Sequence, residues 1–496
     1  MPPLLQNPLL LIALGITGAI AVWGIVDTEG LTVLARRLIY IQFTSRAWFI
    51  MLTVSFILIT SLALAMSRYG TIVLGADTDE PEFSTVSWLS MLFAAGMGVG
   101  LLYWGTAEPL THYIALAETT GIDPASTALF LTNFHWGLHA WAIYALTGLV
   151  IAYFGFRKGM PTLIGSPILA VFGSGPIAST TAWLSNLLAI VAIAIGLGGS
   201  VAMGVFQIKE GIEALFGLSP QETGMTMGIF AALVVAYLLP LTVDLSRGMA
   251  LLSNAAMAIA GGLMVYVLLA GPTHAIMGGI VQGFGEYLNG VFVHGFRTFS
   301  FMDRAVTGWF QDWTLTYMVW WLAWAPFVGV FIARISKGRT IREFLLGVIV
   351  APTGFSILWF GVFGGAGFNA ALRDGLPILD LVRDNTGAVS FYVLQQFPAP
   401  TFTIVATLVA AFLFLVTSVV SAAFVLGMFT TGGDLNPPTS VKLGWGVVLG
   451  ALGLVMILSG SVSAVKSIIA LGALPFVFVV LLLIVCLLKA LREETS

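Results

Sequence analysis

Apolar stretches of about 20 residues recur along the whole chain, separated by short polar loops. A helix of that length satisfies its own backbone hydrogen bonds and crosses the hydrocarbon core of a bilayer, where open strands and irregular chain cannot survive. About twelve such stretches are expected, centred near residues 17, 58, 96, 146, 195, 234, 260, 324, 354, 413, 450 and 477. Only 9% of the 496 residues are charged, against about 25% in a soluble domain. The fold class is therefore an all-α polytopic membrane protein. A net charge of −3 leaves no basic surface for nucleic acid. The single cysteine, Cys486, excludes an intrachain disulfide. The opening MPPLLQNPLLLIALGITG lacks a cationic region, so a retained first helix is expected in place of a cleaved signal. Arg157, Lys158, Arg247, Arg334, Lys337, Arg339 and Arg342 follow even-numbered spans and place both termini in the cytoplasm. Arg36, Arg37 and Arg46 run against that orientation.

Two spans carry signs of interruption. The third, SWLSMLFAAGMGVGLLYWGTAEPL, holds Gly96, Gly98 and Gly100, which permit an unwound stretch or close helix packing. The eighth belongs to WTLTYMVWWLAWAPFVGVFIARISKGRTIREF. Its Trp320, Trp321 and Trp324 fall within a sector roughly 100° wide on a helix. Pro326, two residues on, is expected to break or kink the helix beside them. Indoles gathered on one face at mid-membrane suit a cation without hydrogen-bond donors, such as a quaternary ammonium. Trp313 reads instead as part of an interfacial aromatic belt. Two broken spans five apart are the sequence trace of an inverted repeat with a substrate at the midplane. The expected organisation is two N-terminal helices (1–82), a five-helix repeat (83–272), an interfacial amphipathic helix (273–312), a second repeat (313–488) and a short tail (489–496).

Span four, FHWGLHAWAIYALTGLVIAY, holds Trp136 and Tyr144, about 12 Å apart along a helix. His135 and His139 stand one turn apart; without an accompanying cysteine or carboxylate cluster they read as packing residues, with proton handling at His139 left open. Span ten carries Thr417 and Ser418 at mid-depth, either bonded back to their own helix or facing a hard cation. No nucleophile–base pair or metal cluster is visible at depth, so an intramembrane enzyme is not expected and no cofactor is implied.

The segments AAGMGVGLLYWGTAEP, FHWGLHAWAIY, WTLTYMVWWLAWAPFVGVFIARISKGRTIREF and TSVVSAAFVLGMFTTGG together resemble the betaine/choline/carnitine transporter family. The resemblance implies twelve helices, a 5+5 inverted-repeat (LeuT-like) core preceded by two extra helices, a homotrimer, and lipid and a quaternary ammonium solute as partners. It puts the aromatic box for a trimethylammonium group on Trp136, Tyr144, Trp321 and Trp324. Trp320 matches a tryptophan on the cytoplasmic side of the pathway. Gly96, Met97, Gly98 and Gly100 match the segment facing the substrate carboxylate. Choline-type members tend to have aspartate where this chain has Gly100, which favours a zwitterion. One family sodium site falls on Ala94, Met97, Phe414, Thr417 and Ser418. At the second, Ile193 and Leu197 replace threonines and cannot ligate sodium, although Phe327 is kept. Span five lacks the arginine of sodium-independent exchangers, and Val419-Val420 departs from the usual Ala-Asp. The implied function is sodium-coupled uptake of a betaine-type solute. The alternatives are proton-coupled or exchange transport of carnitine, choline, trimethylamine or dimethylsulfoniopropionate. The short tail predicts activity independent of terminal contacts with lipid.

Overall fold

In a computed structural model of the chain, residues 7–96, 98–116, 123–218, 223–242 and 246–494 are described. In order, the helices are α1 (Pro8–Val26), α2 (Thr28–Met66), α3 (Thr85–Gly96), α4 (Val99–Leu116), α5 (Pro124–Trp136), α6 (Leu138–Ala152) and α7 (Ser166–Phe172). Then come α8 (Pro176–Phe216), α9 (Thr223–Leu241), α10 (Ser246–Ala270), α11 (Thr273–His294), α12 (Arg304–Phe310), α13 (Thr316–Arg334) and α14 (Ile341–Leu372). The last are α15 (Ile378–Asp384), α16 (Val389–Leu394), α17 (Pro400–Thr430), α18 (Thr439–Leu458), α19 (Val462–Ala473) and α20 (Phe476–Glu494). Among the described residues, ten helical segments are long and apolar enough to cross a membrane, or eleven if the bent pair α19–α20 is one span. The third expected span corresponds to α3 and α4, on either side of residue 97.

Side chains are apolar all round where a helix is central and only half-covered where it is peripheral. The segments 124–157 and 304–334 are almost wholly buried, whereas α9 and α10 lie largely exposed on the outside. The centre is the crossing of α13 over α6, flanked by α8 and α14. Small residues set its closeness: a Cβ on Gly148 would lie 2.6 Å from Ile332 Cγ1, and one on Gly329 3.1 Å from Thr147 Cγ2.

Span four is the break that the sequence did not suggest. Gly137 separates α5 from α6, and the freed Leu138 amide donates to the Tyr287 hydroxyl on α11 at 2.8 Å. A Cβ at residue 137 would meet that hydroxyl at 2.2 Å, so the position needs glycine. The eighth span is not broken at its proline. It runs as one helix through Pro326, and its irregularity is a π-helical turn at Gln311–Leu315. A proline inside a buried membrane helix forfeits one backbone bond, and packing from α6 and α8 on both sides keeps the helix going.

Helix α11 occupies only the first part of the segment assigned to the interface, and the eighth span already begins at Arg304. It is apolar on two sides. Ile276, Ile280, Tyr287 and Val291 pack inward, while Met277, Val281, Phe284, Leu288 and Phe292 stand exposed. At the end of the bundle that carries the cationic loops, Val73 pairs with Thr340 in an isolated antiparallel bridge, and the N-terminus of α14 is closed by a Thr340–Glu343 capping box. Helix α20 continues to Glu494, whose carboxylate pairs with Arg157 and with Lys158 at 3.1 Å.

Candidate substrate site

The α6–α13 crossing brings three of the expected aromatic residues into one cage. Trp321 lies edge-on to Trp136 with ring centroids 5.0 Å apart, and to Tyr144 at 5.9 Å. Trp136 and Tyr144 come from the two halves of the broken span four, so the break at Gly137 decides their relative placement. All three are buried. The Trp321 indole N–H donates to the His135 carbonyl at 2.7 Å, which fixes the ring's rotation. Tyr317, Phe360 and Trp141 complete the walls. Tyr317 is 5.7 Å from Trp136, Phe360 is 5.4 Å from Trp136, and Trp141 is 5.5 Å from Tyr144. The sequence reading missed these three. For Tyr317 the signal was present, since it precedes Trp321 by one helical turn.

Trp324 sits one turn further along α13, with Phe327 as its ring neighbour at 5.8 Å. It faces the interruption between α3 and α4. A Cβ on Gly98 would rest 3.8 Å from the tip of Trp324, and one on Gly100 only 3.0 Å from the tip of Trp136. The interruption expected at Gly96–Gly100 is therefore present between Gly96 and Val99, and its glycines abut the cage. Met97 lies outside the described residues. Trp320 is only partly buried and stacks along Tyr317 at 6.3 Å, apart from the cage. Trp313 is not a belt residue: its ring lies 3.6 Å below the ammonium of the buried Lys466, between Trp104 and His112.

Among the described residues, two buried donors at this place have no partner, the Tyr144 hydroxyl and the Trp324 indole N–H. An unpartnered buried donor is destabilising by about 1–3 kcal/mol, so both are suited to a ligand that brings acceptors. By contrast, the carboxylate of Glu108 on α4, also missed, is fully engaged. It accepts from His135 Nδ1 at 2.9 Å, His112 Nε2 at 3.3 Å, Trp136 Nε1 at 2.9 Å and the Tyr317 hydroxyl at 2.5 Å. A lone carboxylate inside a span is a signal that the sequence did carry.

His135 and His139 do not share a site. His135 turns to Glu108, while His139 donates to Ser55 at 3.4 Å and rests on Phe134. Of the residues matched to a sodium site, Phe414 and Thr417 are buried on α17. The Thr417 hydroxyl donates to the carbonyls of Leu413 at 2.9 Å and Phe414 at 3.1 Å. Ser418 is half-buried beside it. Ala94 belongs to α3, but its side chain, like Met97, lies outside the described residues. Ile193 and Leu197 are fully buried on α8 and offer only hydrocarbon.

The family described as BCCT, betaine/carnitine/choline family transporter, matches residues 8–496. The glycine betaine transporter OpuD of Bacillus subtilis is 38% identical over 97% of this chain and 94% of its own. An ectoine/hydroxyectoine transporter of Virgibacillus pantothenticus is 32% identical over 99% and 97%. The high-affinity choline transport protein of Escherichia coli is 34% identical over 90% of this chain and 66% of its own. Among solved structures, a sodium-coupled sialic acid symporter aligns over 88% of this chain and 86% of its own at 14% identity, with a TM-score of 0.46, too weak a likeness to carry an argument.

Proposed function

Because the chain belongs to the betaine/carnitine/choline transporter family, and so is an integral membrane transporter and not an enzyme, we propose that it takes up a trimethylammonium zwitterion of the glycine betaine type. The observation that carries this reading is the buried cage of Trp136, Tyr144 and Trp321 beside the glycine break, with the Trp324 N–H and Tyr144 hydroxyl unpartnered at its edge. The rings suit the cationic head. The free donors and the open backbone near Gly98 and Gly100 suit a carboxylate, and a bare cation would leave them unmatched. Each good cation–π contact contributes roughly 0.5–2 kcal/mol. Three or four, less the entropy of immobilising the solute, correspond to about micromolar to millimolar affinity. In this reading the cavity of about 670 Å³ beside Tyr103, Glu210 and Asn385 serves as the outer entry, on the orientation that the cationic loops imply.

Transport is coupled to one sodium ion held by Ala94, Met97, Phe414, Thr417 and Ser418, with no second site because Ile193 and Leu197 supply no oxygen. Residues 83–272 and 313–488 act as the two rocking halves. The exposed apolar stripe of α11 is the surface for the homotrimer. One observation favours the alternative of proton-coupled or exchange transport: the Thr417 hydroxyl already bonds to its own helix. Uptake into liposomes, with and without a sodium gradient, separates the two. Sodium dependence with a Hill coefficient near one, lost on Thr417→Ala with Ser418→Ala, supports the first, and equal rates in potassium support the second. A competition panel of betaine, choline, carnitine and dimethylsulfoniopropionate tests the substrate, and choline outcompeting betaine would refute the zwitterion.

A further inference from the structure

Glu108 lies fully buried at the outer edge of the cage, and each of its oxygens has two partners. An ionised carboxylate has about four acceptor positions, so the group is saturated as an anion. The direction of these bonds follows from chemistry. An indole N–H only donates, so Trp136 gives its proton to Oε2. Trp309 Nε1 likewise donates to His112 Nδ1 at 3.2 Å. That bond places the His112 proton on Nε2, pointing at Glu108 Oε1. Glu108, His112 and His135 have the residue types and closeness of a metal centre. With its Nε2 lone pair taken by a proton and its Nδ1 occupied by Trp309, His112 has no lone pair for a metal. The cluster is a hydrogen-bonded anion.

The anion is joined directly to the substrate cage. Trp136 packs against Trp321 in a T-shaped pair and gives its N–H to the carboxylate. A carboxylate on an indole N–H draws the proton outward and leaves the ring face more negative, and its own charge adds to the field in a site shielded from water. Tyr317, bonded to the same oxygen, also faces Trp136 and Trp321. We infer that Glu108 is a positioning residue that determines specificity: through Trp136 and Tyr317 it makes the cage prefer a positive head group to an uncharged one of equal shape. The carboxylate end of the substrate is read elsewhere, at the glycine break. The inference rests on the betaine-type reading of the cage.

The test compares glycine betaine with its carbon isostere 3,3-dimethylbutanoate, which has the same shape and the same carboxylate but no positive charge. Binding of both to purified full-length protein in detergent is followed by tryptophan fluorescence. In wild type, betaine is preferred by about a hundredfold or more, as expected for a cation beside a buried charge. In Glu108→Gln the preference drops at least about tenfold, mainly through weaker betaine binding, since the field of one charge is removed. A purely structural role would weaken both ligands alike, and an unchanged ratio in a folded Glu108→Gln protein would overturn the inference. Should that variant not fold, Glu108→Asp keeps the charge while shortening the reach. Its ratio stays within about threefold of wild type whatever happens to the absolute affinities, because the charge remains near the ring. A collapsed ratio in Glu108→Asp would overturn the proposal. If wild-type protein binds neither compound, the betaine reading fails together with it, whereas strong betaine binding with an unaltered Glu108→Gln ratio rejects the role of Glu108 alone.

Discussion

The cage around Trp321 and the cluster around Glu108 are neighbours, share Trp136, and are both buried, yet their polar groups are in opposite conditions. Around Glu108 every acceptor position is filled, and His112 and His135 have partners at both ring nitrogens. In the cage, Tyr144 and Trp324 present donors that have no partner among the described residues. The difference separates support from reception. A saturated network resists change and holds rings in place, while unfilled buried donors are, in the proposed reading, matched by the arriving solute. Burial alone would not have distinguished them.

The sharpest way to break this comparison is to remove the ring that touches both Trp136 and Tyr144. Trp321→Leu should weaken betaine binding by about fiftyfold, a loss of roughly 2 kcal/mol of cation–π contact plus the disorder of the neighbouring rings. Trp324→Leu, at the glycine break, should raise the apparent substrate constant at least about tenfold with expression nearly unchanged. Isothermal titration of purified protein checks both, and wild-type affinity in either variant would remove the assignment of that tryptophan.

Gly100→Asp comes next. The new carboxylate repels a substrate carboxylate and attracts a bare cation, so the betaine-to-choline preference should shift towards choline by about tenfold. Its Cβ would also press on Trp136 at 3.0 Å, so some loss of affinity for both solutes accompanies the shift. Competition uptake measures the ratio, and a preference that does not move would detach Gly100 from the carboxylate end.

The smaller effects separate reception from support most directly. Tyr144→Phe removes an unpartnered hydroxyl, so thermal stability should hold or rise while betaine affinity falls about fivefold, the worth of one hydrogen bond. Trp309→Phe should do the reverse. It strips His112 Nδ1 of its donor, which destabilises by about 1–3 kcal/mol and lowers Tm, while affinity changes by less than about twofold. Melting curves paired with binding isotherms would expose the comparison as empty if the two variants behaved alike.

Helical spacing accounts for only part of the cage: Trp321 and Trp324 follow one face of α13, whereas the break at Gly137 sets Trp136 relative to Tyr144 and Trp320 stands apart. In the sequence alone, Trp320, Trp321 and Trp324 share a face, and Trp136 and Tyr144 lie eight residues apart on one span. The reading erred where backbone context intervened. Pro326 was expected to break or kink a helix that runs on through it unbroken, and Gly137, unremarked among 56 glycines, turned out to break span four. Local propensity assigns a proline a fixed penalty, but it cannot say whether packing will meet it. Trp313 followed the statistics of interfacial tryptophans until Lys466, over 150 residues away in the chain, was found above its ring.

Hydrophobic length and the scarcity of charge determined, from the sequence alone, that this chain is a bundle of membrane helices, since an apolar span in lipid has only helix or barrel open to it. The motif segments likewise announced a transporter of this family. What only the tertiary structure decided is which polar atoms meet. The partners of Glu108 come from α4, α5 and α13, up to 209 positions apart in the chain. Spacing along one helix specifies a face but not what another helix brings to it. Whether a donor is satisfied or left open to a ligand therefore depends on contacts that exist only after the helices have packed.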